Sequence, residues 1–408
     1  MSVLIFLGIL FVLVLVHELG HFAVAKWTGM RVDEFGIGFP PKLFSITKGE
    51  TTYSFNLFPV GGFVKIFGED GVGDPSARPA EDLSERSEQE IPAGVLRRYD
   101  EDGVGDPSAR PAEDLSERSE QKISRNGAFT TKSKWAQSAV LIAGVTMNIL
   151  LAWVLMATAF GIGVRSAVSE QEAGPTAKLT ITSILPESPA AQAQLPNGAV
   201  ILGMTAGGDT LTHFTPSAFT AFIAKHASDV HTIVYTDGGD PRIVAITPKA
   251  GIIASQPDHF VLGVGLSQIE IVKRPFFEAI TESFFAVLTG LRDITVGTVR
   301  LIFDAVRFNA DFSQVAGPVG IVGMVGQAST FGITTLLMFT AFISLNLAVI
   351  NILPFPALDG GRLLFVAIEA LKGSPIRAQY VAVLNTLGFM LLILLMVAVT
   401  WNDIARLL

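Results

Sequence analysis

Four stretches of this chain stay apolar for about 20 residues, the length an α-helix needs to cross the ~30 Å hydrocarbon core of a bilayer. They run from Val3 to about Ala25, and over about 136–163, 331–353 and 380–401. Lipid offers no water to bond backbone polar groups, so such stretches fold as helices. Half of the 408 residues are hydrophobic and only 16% are charged, with a mean hydropathy of +0.49. A soluble enzyme carries roughly a quarter charged residues. The expected class is a polytopic α-helical membrane protein with four transmembrane helices and the lipid bilayer as its partner. The first stretch has no basic segment before it and contains His17-Glu18-Leu19-Gly20-His21. It is therefore expected to be a retained helix, not a cleaved signal peptide.

The chain has no cysteine, which excludes disulfides, thiol catalysis and Cys-ligated metal. Its net charge of −8 argues against nucleic acid as a partner. That charge is local: residues 69–121 hold 16 acids and 6 bases, and the remainder sums to +2. Residues 69–89 recur letter for letter at 101–121. The copies are polar and rich in Pro and Gly, so 69–121 is expected to be a disordered acidic loop and not a solenoid.

Lys and Arg near span ends set orientation. Lys26 and Arg31 follow the first span, Arg125, Lys132 and Lys134 precede the second, and Arg362, Lys372 and Arg377 lie between the third and fourth. This places 26–135 and 354–379 in the cytoplasm, and both termini and 164–330 outside. Residues 31–68 read as short strands broken by turns, with Gly61-Gly62 separating Thr51–Leu57 from Phe63-Val64-Lys65-Ile66. Residues 172–266 read as a small α+β domain with strands at Thr180–Ile184 and Thr232–Tyr235 and a helix at Pro216–Lys225. Residues 272–330 read as amphipathic helix, with Phe276, Ile280, Phe284, Val287 and Leu291 at helical spacing, suited to a membrane surface.

His17 and His21 stand four apart, so a helix points both imidazoles the same way, as a zinc site requires. Glu18 completes the HExxH pattern and is placed to act on water at the metal instead of ligating it. In a soluble helix, two histidines of this kind would more simply be core residues satisfied by neighbours. At bilayer depth each ionisable group costs a few kcal/mol, which favours function. A two-His site needs a third ligand and an open position. The remaining histidines (213, 226, 231 and 259) fall in the outer domain. The best carboxylate is Asp359 in Asn351-Ile-Leu-Pro-Phe-Pro-Ala-Leu-Asp359-Gly-Gly-Arg362, where Pro354 and Pro356 break the third helix. The plainer reading of Asp359 is an Asp-Gly turn.

VHELGHF at 16–22, NILPFPALDGG at 351–361 and GPVGI at 317–321 resemble the site-2 protease family of intramembrane zinc metalloproteases, in its bacterial RseP-type branch. The resemblance covers all four spans in order. It implies Zn²⁺ held by His17, His21 and Asp359, with Glu18 as general base. It implies substrate contacts from Asn346 and Asn351, which could equally serve interhelical hydrogen bonds. It also implies a membrane-associated β-hairpin at Gly61-Gly62-Phe63, whose edge pairs with an unwinding substrate or only packs against the helices. Region 172–266 becomes an extracytoplasmic PDZ-like domain with affinity for peptide ends, on the strength of Pro186-Glu-Ser-Pro-Ala-Ala191. One departure is Val145, where the family's second-span motif has proline.

The implied activity is cleavage of transmembrane segments of single-pass proteins, such as anti-sigma factors or signal-peptide remnants, in a bacterial inner membrane. The active site would lie nearer the cytoplasmic face. An idle scaffold with a peptide-binding domain is the rival, but it has no need of costly intramembrane polar groups. A metal-ion transporter would want polar residues along a path, and here they cluster at one depth.

Overall fold

The computed structural model describes residues 1–69, 127–252, 259–307, 309 and 315–407. The acidic repeat lies outside these residues except for Glu69. In chain order, α1 (Ser2–Trp27) is followed by β1 (Val32–Lys48), β2 (Thr51–Ile66) and α2 (Lys134–Ile162). Then come β3 (Val164–Val168), β4 (Lys178–Ile184), α3 (Pro189–Gln192), β5 (Val200–Ala206), β6 (Asp209–Thr210) and α4 (Pro216–Lys225). The chain continues through β7 (His231–Thr236), β8 (Arg242–Ile246), β9 (Val264–Val272), α5 (Phe276–Val306) and α6 (Pro318–Thr330). It ends with α7 (Ile333–Ile352), α8 (Asp359–Lys372) and α9 (Ala378–Leu407). Helices α1, α2, α7 and α9 are each long and apolar enough to cross a membrane, and the chain is a membrane protein carrying β-sheets. Their ends differ by a few residues from the apolar stretches because the helices continue into polar flanks such as Lys134 and Asn402. Helix α2 runs unbroken through Val145. The amphipathic region is not one helix: α5 ends at Val306, and α6 begins at Pro318, a proline suited to a first turn.

One unit comprises Met1–Val154, Phe285–Gly326 and Phe339–Leu408. On α1 the buried residues are Leu13, His17, Gly20, His21 and Ala25, spaced as one face of a 3.6-residue helix. A side chain at Gly20 would come within 2.6 Å of the Ala143 carbonyl oxygen, so the α1 and α2 backbones approach as closely as small residues allow. Strands β1 and β2 pair antiparallel twice over. Residues 34–37 face 52–55 on one side and 62–65 on the other, while 42–48 also pair with the 51–56 arm. The outcome is four short arms in the order 42–48, 51–56, 32–37, 62–66. Strand β2 is continuous through Gly61-Gly62, but its two halves belong on opposite sides of β1. Among the described residues, 62–66 is an edge. A buried cluster of Ala25, Val32, Ile66, Val140, Leu141 and Val366 fastens that edge to α1, α2 and α8.

Between α7 and α8, Pro354 and Pro356 end the helix, and Leu358 starts the next from an extended conformation. Gly360 and Gly361 allow the new helix to fold against the old one, since a Cβ on either would lie 2.2 Å from a carbonyl oxygen of residues 352–355. At the far end of α9, the buried Asp403 accepts backbone N–H bonds from Gly317 (3.1 Å) and Gly320 (2.8 Å). A carboxylate thus satisfies the orphan donors at the start of α6.

The second unit comprises Leu155–Phe284 and Gln327–Met338. Its sheet is wholly antiparallel in the order β3-β9-β4-β5-β7-β8, with β6 on β5. The side chain of Thr215 caps α4 by accepting from the Ala218 N–H, with Pro216 in the first turn. Phe219, Phe222 and Ile223, at i, i+3 and i+4, are buried and join Leu179, Ile181 and Ile233 in the core.

Candidate active site

The polar face of α1 meets α8 in the first unit. His17 Nε2 and His21 Nε2 are 3.1 Å apart, and Asp359 Oδ2 lies 3.0 Å from the first and 3.3 Å from the second. The proline break and the glycine contacts at 360–361 bring Asp359 to this point, at the first turn of α8. There the helix dipole favours its negative charge.

Two imidazole nitrogens and a carboxylate oxygen form the donor set of a catalytic zinc site. Donors about 2.0–2.1 Å from a tetrahedral metal are roughly 3.3 Å apart, close to the triangle seen here. Three atoms gathered this tightly could hold a metal ion. The backbone keeps the space clear: a Cβ on Gly144 of α2 would lie 2.3 Å from His21 Nε2 and 2.8 Å from His17 Nε2. Each imidazole is also gripped from behind. His21 Nδ1 donates to the Val140 carbonyl at 2.8 Å, leaving Nε2 free as a donor atom to metal. His17 Nδ1 is 3.2 Å from the amide nitrogen of Asn148, while Asn148 Oδ1 is buried with no partner among the described residues. Turning that amide over sets the orphaned oxygen against Nδ1–H and frees His17 Nε2 in the same way. The backbone carbonyl of Asn148 accepts from the Ser344 hydroxyl at 2.7 Å, fixing α2 to α7 at this level.

Glu18 is not part of the ligand triangle. It lines a cavity of about 170 Å³ with His21, Asp359, Phe63, Glu69 and Arg362. Arg362 forms an ion pair with Glu69. The edge arm of β2 makes the cavity's other wall. A Cβ on Gly62 would stand at an ordinary contact distance of 3.5 Å from Glu18 Cγ and at a tight 3.0 Å from the Gly36 carbonyl oxygen, so the strand runs directly beside Glu18 and packs closely on the neighbouring arm. Gly61 adopts φ +117°, a conformation open to glycine. The ring of Phe63 covers Gly36.

Of the other residues singled out in the sequence, Asn351 stands beside the triangle, its amide nitrogen 3.5 Å from His17 Nε2. The Asn346 side chain bonds back to the Phe342 carbonyl of its own helix at 2.8 Å. Sequence reasoning missed the part played by Gly144 and Asn148. Their signal was a small residue and an uncharged amide one turn apart in an apolar span.

The sequence model of peptidase family M50 matches residues 5–395. Zinc metalloprotease RasP of Oceanobacillus iheyensis is 31% identical over 439 aligned positions, covering 100% of this chain and 99% of that protein. The protein of the same name from Bacillus licheniformis is 31% identical over 437 positions, covering 100% and 99%. A putative zinc metalloprotease of Clostridium perfringens is 31% identical over 401 positions, covering 96% and 95%. With a match across nearly its whole length and a peptidase-like constellation between its spans, the chain belongs to peptidase family M50, the site-2 proteases.

Proposed function

We propose that this protein is a zinc endopeptidase that cuts transmembrane segments of single-pass membrane proteins, with His17, His21 and Asp359 as ligands and Glu18 as general base. The observation that carries this reading is the 3.0–3.3 Å triangle of His17, His21 and Asp359, with Glu18 on the wall of the adjoining cavity. Zinc in that triangle supplies a Lewis acid for the scissile carbonyl and acidifies water toward neutrality.

The chain's own groups do the rest. Glu18 takes the proton from the attacking water and returns it to the leaving amine nitrogen. Asn148 and the Val140 carbonyl hold the two imidazoles in the ligating tautomer. A helical substrate hides its carbonyls in i→i−4 bonds, so it must unwind to be cut. The 62–66 edge, including Gly62 and Phe63, pairs with the unwound segment and replaces the bonds it loses. Asn351, beside the ligands, is placed to hold the substrate backbone near the metal; Asn346 takes the same role once released from the Phe342 carbonyl.

The second unit is PDZ-like in this reading. A cavity of about 250 Å³ between α4 and the start of β9, lined by Phe219, Ile223, Leu262, Gly263 and Val264, suits a peptide end. The basic residues flanking the spans favour an orientation with this unit outside, both termini outside, and the active site toward the cytoplasm.

Glu18→Gln tests the mechanism. It should retain zinc and lower cleavage of a model transmembrane substrate by at least the 10²–10⁴-fold typical of a general base. Retained turnover would overturn the assignment.

A further inference from the structure

One face of the second unit's sheet packs on α4, and the other carries an arrangement the proteolytic reading does not use. Side chains alternate along strands. Leu179 and Ile181 of β4 enter the core, so Lys178 and Thr180 occupy the opposite face. The register puts Arg165 across from Ile271, and Lys178 across from Ile269. Lys273 continues the row formed by Ile269 and Ile271. Together these residues line a cavity of about 690 Å³, within the ~300–1,000 Å³ range of small-molecule sites. Its floor is Val200, Ile269 and Ile271, and its rim is Arg165, Lys178 and Lys273. Ile271 is 62% exposed, a large apolar side chain left open beside three cations.

Those cations are available. Among the described residues, none of the three has a carboxylate in ion-pair range. The nearby Glu270 is engaged by the Gly174 N–H and the Thr176 hydroxyl. Arg165 sets its guanidinium 5.6 Å from the Phe331 ring centroid, which orients the group without neutralising it.

The cavity also has a defined depth. Helix α2 ends at Ile162 and Arg165 follows three residues later, at most about 10 Å away. The Arg274 N–H donates to the Phe160 carbonyl at 3.0 Å, tying the end of β9 to the last turn of α2. A Cβ on Gly163 would lie 2.9 Å from side-chain carbons of both Ile271 and Lys273. The lower rim of the cavity is therefore at the end of a membrane span, where a headgroup layer roughly 5–7 Å deep begins. Phe276 and Phe277, 71% and 80% exposed, come directly after at the start of α5, apolar rings of the kind that interfacial helices bury in the bilayer surface.

We infer that this sheet face binds an anionic phospholipid of the surrounding bilayer. Its phosphate sits between Arg165 and Lys273, its glycerol and first acyl carbons lie against Ile271, and its anionic headgroup reaches Lys178. Charge complementarity selects the anion. The apolar floor selects a lipid over free phosphate, which has no carbon to place there. The bound lipid fastens the sheet unit to the membrane surface at a fixed height.

The test uses the full chain in nanodiscs of equal phosphatidylglycerol and phosphatidylcholine, with a benzoylphenylalanine photo-crosslinker replacing Ile271. The mass of the adduct reports which molecule occupies the cavity. Phosphatidylglycerol adducts should exceed phosphatidylcholine adducts by at least about fivefold, given three cations at the surface. Combined Arg165→Gln, Lys178→Gln and Lys273→Gln should return the ratio to the bulk value. The charge-conserving set Arg165→Lys, Lys178→Arg and Lys273→Arg should keep it, which separates charge from folding. A ratio near one in the parent chain overturns the proposal, and so does an unchanged ratio in the Gln variant. Adducts to the chain's own peptides, or loss of the preference in millimolar inorganic phosphate, would equally overturn it.

Discussion

Replacing Gly144 by alanine sets two physical rules against each other. In a helix interior alanine is favoured over glycine by roughly 0.5–1 kcal/mol, so on propensity alone Gly144→Ala should stabilise α2. The structure says otherwise: the new Cβ would lie 2.3 Å from His21 Nε2 and 2.7 Å from His17 Cε1. Restoring an ordinary contact near 3.4 Å requires a shift of about 1.1 Å. Metal ligands tolerate deviations of only about 0.2 Å, and a 1 Å misplacement at a reacting centre costs on the order of 10²-fold. Gly144→Ala should therefore purify folded but with zinc well below one equivalent by elemental analysis. Its cleavage of a transmembrane substrate should fall by about 10²-fold. Gly161→Ala is the control, because the same helix leaves nothing within 4 Å of a Cβ there. Full zinc occupancy in Gly144→Ala, with cleavage within a few-fold of the parent, would refute the steric argument and the ligand assignment it rests on.

Two further outcomes follow from single contacts. Asn148→Leu removes the group behind His17 and should weaken zinc by about 10–100-fold in a competition with a metal buffer, as loss of an outer partner does elsewhere; Asn148→Asp, which still offers an oxygen to Nδ1–H, should lose less. His231, fully buried with Nε2 unpartnered among the described residues, has its pKa held below the ordinary 6.5, by burial first and then by the nearby His226 charge. The unfolded chain thus takes up a proton near pH 6.5 that the folded unit refuses, so this contribution is complete above about pH 6.5 and lost as pH falls toward the lowered folded value. Protection factors at β7 and β8, which remove the intrinsic pH dependence of amide exchange, should fall between pH 7.5 and pH 5.5, and His231→Leu should flatten that fall even if it lowers overall protection.

The spans were legible because a bilayer leaves the chain little choice. About 20 apolar residues can only be helix there, and α1, α2, α7 and α9 follow those stretches to within a few residues. The 31–66 segment was legible as strand-rich, and its topology was not. Gly61-Gly62 looked like a break between strands, yet it serves as the point at which β2 crosses to the other side of β1. Periodicity reports which residues share a face, while the partner of that face depends on long-range pairing. Among the described residues, the 62–66 half of β2 is therefore an edge and the 51–56 half is not.

The same distinction runs through the proposed active site. His17, Glu18 and His21 announce themselves because charge within a span is expensive and a four-residue spacing is local geometry. Asp359 was visible for a related reason, two prolines marking a break at membrane depth. Gly144 and Asn148 carry no such cost, and the second-span motif they resemble does not say what they do, since an apolar span tolerates a glycine and an amide without comment. Their significance arises only when α2 is laid against α1 and the absent Cβ becomes the space in which two imidazoles meet. Residues that act by leaving room, or by bonding the back of a ligand, are therefore recovered from packing. In this chain they lie within about a turn of a close backbone approach between two spans, that of Gly20 to Ala143.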